Sequence, residues 1–256
     1  MKLRYFFLTY LFFISQWAWS QEGPPEGWSI GVASAYDRSP YQGVGFELKA
    51  FPLFSYKMGR FWLKGLSPSL QVISHDEIDL GIFLKPELFG TGYEAEDSLF
   101  LRGMDERKGS LLLGLEARLK LDRLKLEVNI EQDIYDRHHG RKAQVFLGSG
   151  IPLNLFIDSI PFTLFKLSLG AGYYSSAYNN YYYGVKPSEA TPDRAVYSPG
   201  SSISLLLKSS IMVKITKDFT LTIGYANEVL GREVKDSPIT NGNNSDAYSV
   251  FLTYSL

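Results

Sequence analysis

Apolar and polar residues alternate with a period of two along most of the chain, including its last nine residues, YSVFLTYSL. In this segment every second residue is large and apolar: Tyr248, Val250, Leu252, Tyr254 and Leu256. Successive side chains of a β-strand point to opposite faces, so this period predicts a strand with one apolar face. The segments WSIGVASAY, GVGFELKA and IDLGIFLK repeat the pattern and predict further strands.

The longest alternating segment, SLLLGLEARLKLDRLKLEVNIEQD, predicts a hairpin. Apolar residues, all of them leucine except Ala117, recur at alternate positions from Leu111 to Leu121, and the pattern restarts at Leu124. A two-residue turn at Asp122-Arg123 brings both apolar faces to the same side, as the register requires. Leu, Glu, Lys and Arg also favour helices, but a helix would distribute these leucines around its whole circumference. We therefore predict two strands.

The polar face of this hairpin carries charges of both signs. Its members are Glu116, Arg118, Lys120, Lys125, Glu127, Glu131 and Asp133. The same register places Lys120 directly opposite Lys125, so we expect an acid such as Glu127, on the diagonal, to offset the two lysines. In a barrel these charges would line the lumen.

The pattern predicts about twelve strands in all. Their predicted spans are residues 28–36, 43–51, 54–64, 68–74, 78–87, 109–121, 124–134, 142–151, 161–175, 201–216, 219–229 and 246–256. The even-numbered connections are mostly short, whereas the odd-numbered ones include every long polar segment: residues 88–108, 135–141, 176–200 and 230–245. Long loops at one rim and short turns at the other are typical of an up-and-down barrel in an outer membrane.

Two all-β folds accommodate such strands. An exported antiparallel sandwich would place its polar face in bulk water and its apolar face against a second sheet. A membrane barrel would place the apolar face in lipid and the charged face, with its small residues, in a narrow lumen. The small residues on the polar face, the aromatic strand ends and the unequal loops favour the barrel. We therefore predict an all-β, up-and-down antiparallel transmembrane β-barrel with long extracellular loops and short periplasmic turns.

The first 20 residues have the composition of an export signal. MKLR is basic, YFFLTYLFFISQW is apolar, and the small residues Ala18 and Ser20 occupy positions −3 and −1 of a cleavage before Gln21. A membrane anchor is the alternative, but the apolar stretch is short for a span. We expect residues 1–20 to be removed, and residues 21–256 to form a single barrel domain that the barrel-assembly machinery inserts into outer-membrane lipid.

Composition limits the chemistry that the chain can perform. It contains no Cys, which excludes thiolate metal sites, disulfides and a cysteine nucleophile. The formal net charge is −1 at pH 7 and no basic run occurs, so no nucleic-acid partner is expected. The mean hydropathy of −0.08 is far below that of a helical membrane protein.

Three further segments raise the question of a binding or catalytic site. His138 and His139 follow Asp133 and Asp136 at the outer end of a predicted strand, where some outer-membrane enzymes use such residues. We favour solvated loop residues, because no G-x-S-x-G elbow or second carboxylate pair accompanies them, and we predict no enzyme, metal or cofactor. The tyrosines of NNYYYG are interpreted as an interfacial girdle, with a sugar- or partner-binding platform as the alternative. EAEDSLFLRGMDERKG is interpreted as a solvated loop.

Several segments, in a consistent order, resemble the MipA/OmpV family of outer-membrane proteins. They are SPYQG (39–43), FPLFSYKMGRFWLKG (51–65), LRGMDERKGS (101–110), DRHHGRKA (136–143), YYYGVKPSEA (181–190) followed by Tyr197, and SPIT (237–240). Tyr254 fits the closing aromatic pattern of the family, whereas Leu256 stands where most such barrels end in an aromatic residue. The resemblance spans essentially the whole chain after the export signal.

The resemblance implies a non-catalytic scaffold that brings a murein lytic transglycosylase together with a bifunctional penicillin-binding protein during peptidoglycan growth. Relatives of the OmpV type are described as porin-like or adhesive, so a channel or an adhesin is the alternative. A scaffold must contact its partners from the periplasm, where the sizeable connection is the apolar segment IPLNLFIDSIP, residues 151–161. Its candidate partner-binding residues are Leu153, Leu155, Phe156 and Ile157.

Overall fold

The structure, a computed structural model, describes residues 26–87, 92–155 and 161–256. In this part of the chain, twelve strands form a closed antiparallel barrel, in which each strand pairs with its neighbours in sequence and β1 pairs with β12. The strands are β1 (Gly27–Arg38), β2 (Phe46–Met58), β3 (Phe61–Lys64), β4 (Ser67–Ser74), β5 (Ile78–Pro86), β6 (Leu111–Leu121), β7 (Leu124–Asp133), β8 (Arg141–Pro152), β9 (Thr163–Tyr174), β10 (Ser202–Lys214), β11 (Phe219–Val229) and β12 (Asn244–Ser255). The predicted fold class is confirmed, whereas the predicted export signal lies outside the described residues.

The helical elements of the described residues are short and lie in the connections. They are α1 (Ser176–Tyr183), α2 (Arg232–Lys235) and the 3₁₀ turns Leu153–Leu155 and Pro187–Glu189. Across the described ranges, no helix is both long and apolar enough to span a bilayer.

Alternate side chains of the strands point outward and inward, as the period of two predicts. On β1, Trp28 and Val32 are 49% and 58% exposed, whereas Ala33 and Ala35 are buried at 2%. The strand therefore presents large apolar residues to its surroundings and small residues to the interior, which is the arrangement of a barrel in lipid.

Aromatic side chains pair on the outer surface near both rims. Trp28 and Tyr56 have ring centroids 4.8 Å apart near the end of the barrel with short turns, which we call the short-turn end. Tyr36 and Phe46 stack at 4.6 Å near the opposite, long-loop end. Aromatic rings at two levels are typical of the two interfaces of a membrane.

The predicted hairpin between β6 and β7 is confirmed in its register. Leu121 pairs with Leu124, and Lys120 pairs with Lys125, across a turn of two residues. Asp122 adopts a positive φ of 56°, a conformation that Asp and Asn tolerate better than most residues. The closing strand is confirmed as well, because β12 pairs with β1 along nine residues, from Asp37↔Ala247 to Ser29↔Ser255.

The second and third strands differ from the prediction. Strands were expected at residues 43–51 and 54–64, with a turn around Pro52, but β2 runs without interruption from Phe46 to Met58. The turn falls instead at Gly59-Arg60, where Gly59 has a φ of 52°, and β3 is only four residues long. Proline usually interrupts a central strand, so the continuity of β2 requires an explanation.

The explanation is a gap in the barrel wall beside β2. The Gly65 N–H donates to the Phe54 carbonyl at 2.8 Å, so the peptide groups of Phe54 face β3. Peptide groups two residues apart point to the same edge, and the missing N–H of Pro52 therefore faces this edge too. Among the described residues, β3 pairs with β2 only from Ser55 to Met58. Pro52 lies beyond this pairing, where no described strand would accept a hydrogen bond from a backbone N–H.

The other side of the gap is also marked by a proline. The Glu87 N–H donates to the Ser110 carbonyl next to β6, so the peptide edge of Pro86 faces β4 instead. Pairing of β4 with β5 ends at Phe83, which leaves Pro86 beyond the last paired residue. Prolines thus occupy both facing edges, where they disfavour pairing with a foreign strand.

Candidate functional site

Long connections fold into the long-loop end and form what we call the plug: residues 39–45, 92–107, 175–201 and 230–243. Its apolar core contains Tyr41, Tyr93, Leu101, Met104, Val185 and Ile239, all at most 4% exposed. The interpretation of EAEDSLFLRGMDERKG as a solvated loop is therefore wrong, since Leu101 and Met104 belong to this core. Leu101 and Met104 are buried by other loops, whereas Leu99 is exposed, and a pattern within one loop does not show this difference.

A buried ion pair ties two of these loops together. Arg107 donates to both carboxylate oxygens of Glu189, at 2.8 and 3.0 Å, and also to the carbonyl of Tyr181 at 2.6 Å. The same carboxylate accepts the backbone N–H of Lys186 at 2.9 Å. Burial would raise the pKa of Glu189, but the Lys186 N–H and the Arg107 guanidinium hold it below its ordinary value.

Helix α1 carries the consecutive tyrosines into the plug. The Ser175 hydroxyl caps the helix by accepting the N–H of Tyr178, and Tyr182 is fully buried. The Tyr182 hydroxyl lies 3.3 Å from Glu87 Oε2, and burial, followed by this carboxylate, raises the pKa of Tyr182. The prediction that these tyrosines form an interfacial girdle is wrong, because they pack inside the long-loop end.

A network of buried charges lies beneath the plug. Lys142 bridges Glu87 and Glu131, and Glu131 also accepts from Lys85. The His138 Nε2 lies 2.9 Å from Glu87, and all of these side chains are at most 3% exposed. The charges of two lysines therefore balance those of two glutamates inside the barrel, which reduces the free-energy cost of burying them.

His138 is part of this network and not the solvated loop residue that the sequence suggested. Its Nδ1 accepts the N–H of Gly140 at 2.9 Å, so Nε2 carries the proton and donates to Glu87. Asp133 accepts the backbone N–H groups of residues 135, 137, 138 and 139, together with the Ser110 hydroxyl, and thereby shapes the β7–β8 connection. His139, by contrast, is exposed, as expected.

A cavity of about 300 Å³ lies at the short-turn end, and we call it the vestibule. The turn residues Gly59, Arg60, Asp122 and Arg123 are at its mouth. Its basic lining residues are Lys57, Arg60, Arg118, Lys120, Arg123, Lys125 and Lys166, and its acidic ones are Asp79, Glu116, Asp122 and Glu127. Cations therefore outnumber carboxylates by three.

The predicted site residues fall in three places. Glu116, Arg118, Lys120, Lys125 and Glu127 line the vestibule, whereas Glu131 and Asp133 are buried nearer the plug. Leu153 and Leu155 lie in a 3₁₀ turn at the short-turn end, and Leu153 is half-buried. Phe156, Ile157 and the side chain of Leu155 lie outside the described residues. The roles assigned to all these residues remain predictions.

Sequence reasoning missed the buried partners Lys85, Glu87 and Lys142. Each lies at or beside the outer end of a strand and is buried. A lysine at an inward position near a strand end, matched by an acid on a neighbouring strand, is the signal that could have found them.

A closed barrel with an apolar exterior, aromatic rims and a charged interior defines an outer-membrane β-barrel protein. The model of the family described as MltA-interacting protein MipA matches residues 30–256, and the chain belongs to this family. The long-loop end is therefore extracellular, and the vestibule faces the periplasm.

Relatives of known name agree with this assignment. Outer membrane protein OmpV of Vibrio cholerae serotype O1 is 32% identical over 192 residues, 75% of this chain and 71% of that protein. The MltA-interacting protein of Escherichia coli K12 is 23% identical over 238 residues, 88% of this chain and 89% of that protein. Among solved structures, the NanC porin is similar with a TM-score of 0.44 and 11% identity, covering 89% of this chain and 100% of that one.

Proposed function

We propose that this protein is a non-catalytic scaffold of the outer membrane that presents its periplasmic end to enzymes of peptidoglycan growth. The partners would be a murein lytic transglycosylase and a bifunctional penicillin-binding protein. The name of the E. coli relative, MltA-interacting protein, supports the first of these partners.

The observation that carries the proposal is the plug. Leu101, Tyr182 and Ile239 are completely buried within the long-loop end, and the pair Arg107–Glu189 fastens the loops around them. A general channel would need water-filled passage at this level, whereas a scaffold needs only a stable barrel with an accessible periplasmic face. The plug therefore favours a scaffold.

The candidate docking surface is the β8–β9 connection, residues 153–162. This connection is long for the periplasmic end and contains the apolar segment LNLFIDSIP. An apolar segment at this end would suit burial against a partner protein.

The test is co-purification from detergent-solubilised envelopes. Phe156→Ser with Ile157→Ser should abolish recovery of the transglycosylase, whereas Lys217→Ser, in another periplasmic turn, should leave it unchanged. Altered gel mobility of unboiled samples would show that each variant folds. Undiminished recovery with the folded double variant would overturn the docking surface.

A channel is the second candidate, because the vestibule already gives the periplasmic half an open, charged lumen. Purified protein in a planar bilayer distinguishes the two functions. The plugged scaffold should be electrically silent at neutral pH. Steady open steps from the unmodified protein would favour the channel.

A further inference from the structure

The vestibule contains a charge imbalance that its own carboxylates do not remove. Two of the four acids are already engaged by groups of the wall. Glu116 forms an ion pair with Arg118, and Asp79 accepts hydrogen bonds from Gln71 at 2.7 Å and Ser74 at 3.0 Å. The pair of Glu116 with Arg118 removes one charge of each sign, and Lys57 pairs with Glu26 at 3.6 Å, so five lining cations remain with three carboxylates.

Lys120 and Lys125 show the imbalance most clearly. They are directly opposite each other in the β6–β7 register, and both line the vestibule. Glu127, which the sequence predicted to offset them, also lines the vestibule. Among the residues that the structure describes, no carboxylate oxygen lies within 4.0 Å of either ammonium. Like charges in directly opposed positions destabilise a sheet, so an external anion bound between these two lysines would reduce their repulsion.

The neighbouring strands β8 and β9 leave room for such an anion, since Gly148 pairs directly with Lys125. Gly148, Gly150 and Ser168 line the vestibule near Lys166, where small residues expose the lumen. Gly148 cannot become larger without conflict, since a Cβ there would come within 2.1 Å of the Ser168 hydroxyl. The volume of about 300 Å³ matches the lower end of small-molecule sites.

We propose that the vestibule is a binding site for a small anion with two or more carboxylate or phosphate groups, which enters from the periplasm and bridges Lys120 and Lys125. A ligand with two negative charges would neutralise both lysines, whereas a single carboxylate carries only one charge. The enclosed position strengthens the attraction, since neighbouring protein displaces much of the screening water. This site is independent of the scaffold function, because it uses neither the plug nor the β8–β9 connection.

Tryptophan fluorescence provides a direct test. Trp62 lines the vestibule, and Trp28→Phe would leave it as the sole tryptophan of residues 21–256. Titration of this variant in detergent with citrate or pyrophosphate should give a saturable signal that weakens as sodium chloride is raised, whereas the neutral sugar maltotriose should give none. A response to citrate alone indicates a carboxylate ligand, and a response to pyrophosphate alone indicates a phosphate ligand.

The lysine pair is tested by charge removal on the same background. Lys120→Gln with Lys125→Gln should weaken anion binding at least about tenfold. Lys217→Gln removes a charge at the same end of the barrel but outside the vestibule, and should bind as before. The single lysine variants, each checked by unboiled gel mobility, replace the double variant if it does not fold. Absence of saturable binding by either anion, or unchanged binding after removal of the lysines, would overturn the proposal and leave the scaffold function untouched.

Discussion

At the residue scale, Glu87 stabilises the barrel interior because its two oxygens are shared among three buried groups. Oε1 accepts from Lys142, and Oε2 lies within hydrogen-bonding distance of His138 and Tyr182. Water does not replace any of these partners, since the side chain has no exposed surface. Burying these charges is unfavourable in itself, but removing the carboxylate would leave its partners buried without an acceptor, which is more unfavourable still.

Glu87→Gln should lower the free energy of unfolding by about 3 kcal/mol, since it leaves a buried ammonium with half of its compensation. The loss should not be larger, because Lys142 keeps Glu131 at 3.2 Å. Urea unfolding in lipid vesicles, followed by tryptophan fluorescence, measures the change. Glu106→Gln is the matched control: its ion pair with Lys108 is on the surface, so less than about 1 kcal/mol should be lost. Equal losses in the two variants would contradict the structural role of the network.

At the element scale, the β6–β7 hairpin depends on one residue in the left-handed region. Asp122, with its φ of 56°, allows the chain to reverse within two residues and keep the leucines on one face. Asp122→Val should destabilise the barrel by about 1–2 kcal/mol, because a β-branched residue is strained in this conformation. Asp122→Asn should be nearly neutral. The urea midpoints of the two variants, measured side by side, check the prediction; equal midpoints would count against it.

The elements themselves were predictable to different degrees. The β6–β7 register followed from strict alternation around Asp122-Arg123, because one face of each strand had to remain apolar. The β2–β3 boundary did not follow, because Pro52 is a turn signal in isolation. Its tolerance in a strand depends on a gap created by a hairpin that ends at Gly65, and no local pattern contains that information.

At the scale of the whole molecule, the barrel is apolar outside and charged inside, and its two ends differ. The apolar exterior was readable from period-two alternation. The plug could not be predicted in this way, because its main polar contact joins Arg107 to Glu189, 82 residues further along the chain. The vestibule could not be predicted either, because it depends on which charged residues lie on the same side of the closed barrel. Together, the plug at the extracellular end and the open vestibule at the periplasmic end leave the described part of the lumen accessible from the periplasm.

The plug should loosen in acid. Glu189 has a pKa below its ordinary value of 4.5, so its ionised form stabilises the folded plug above that pH and the contribution is lost as pH falls through the lowered value. The neighbouring Arg107 guanidinium remains charged throughout, and Asp105, whose pKa is also lowered by a hydrogen bond from Lys186, titrates in the same direction. Bilayer recordings should therefore be silent at pH 7 and show openings only well below pH 4.5.

The variant Glu189→Gln distinguishes the contribution of this carboxyl group to the acid response from the contributions of other carboxyl groups. The substitution keeps the shape of the side chain but leaves the Arg107 guanidinium buried without its counter-charge, which is strongly unfavourable. Openings should then appear already at pH 7 and change little on acidification, whereas Glu106→Gln should behave like the unmodified protein. If Glu189→Gln were silent at neutral pH and opened in acid as the unmodified chain does, the plug would be held closed by its apolar core and not by this ion pair. The acid response would then come from other carboxyl groups, such as Asp105 in the plug or Glu87 and Glu131 in the network beneath it.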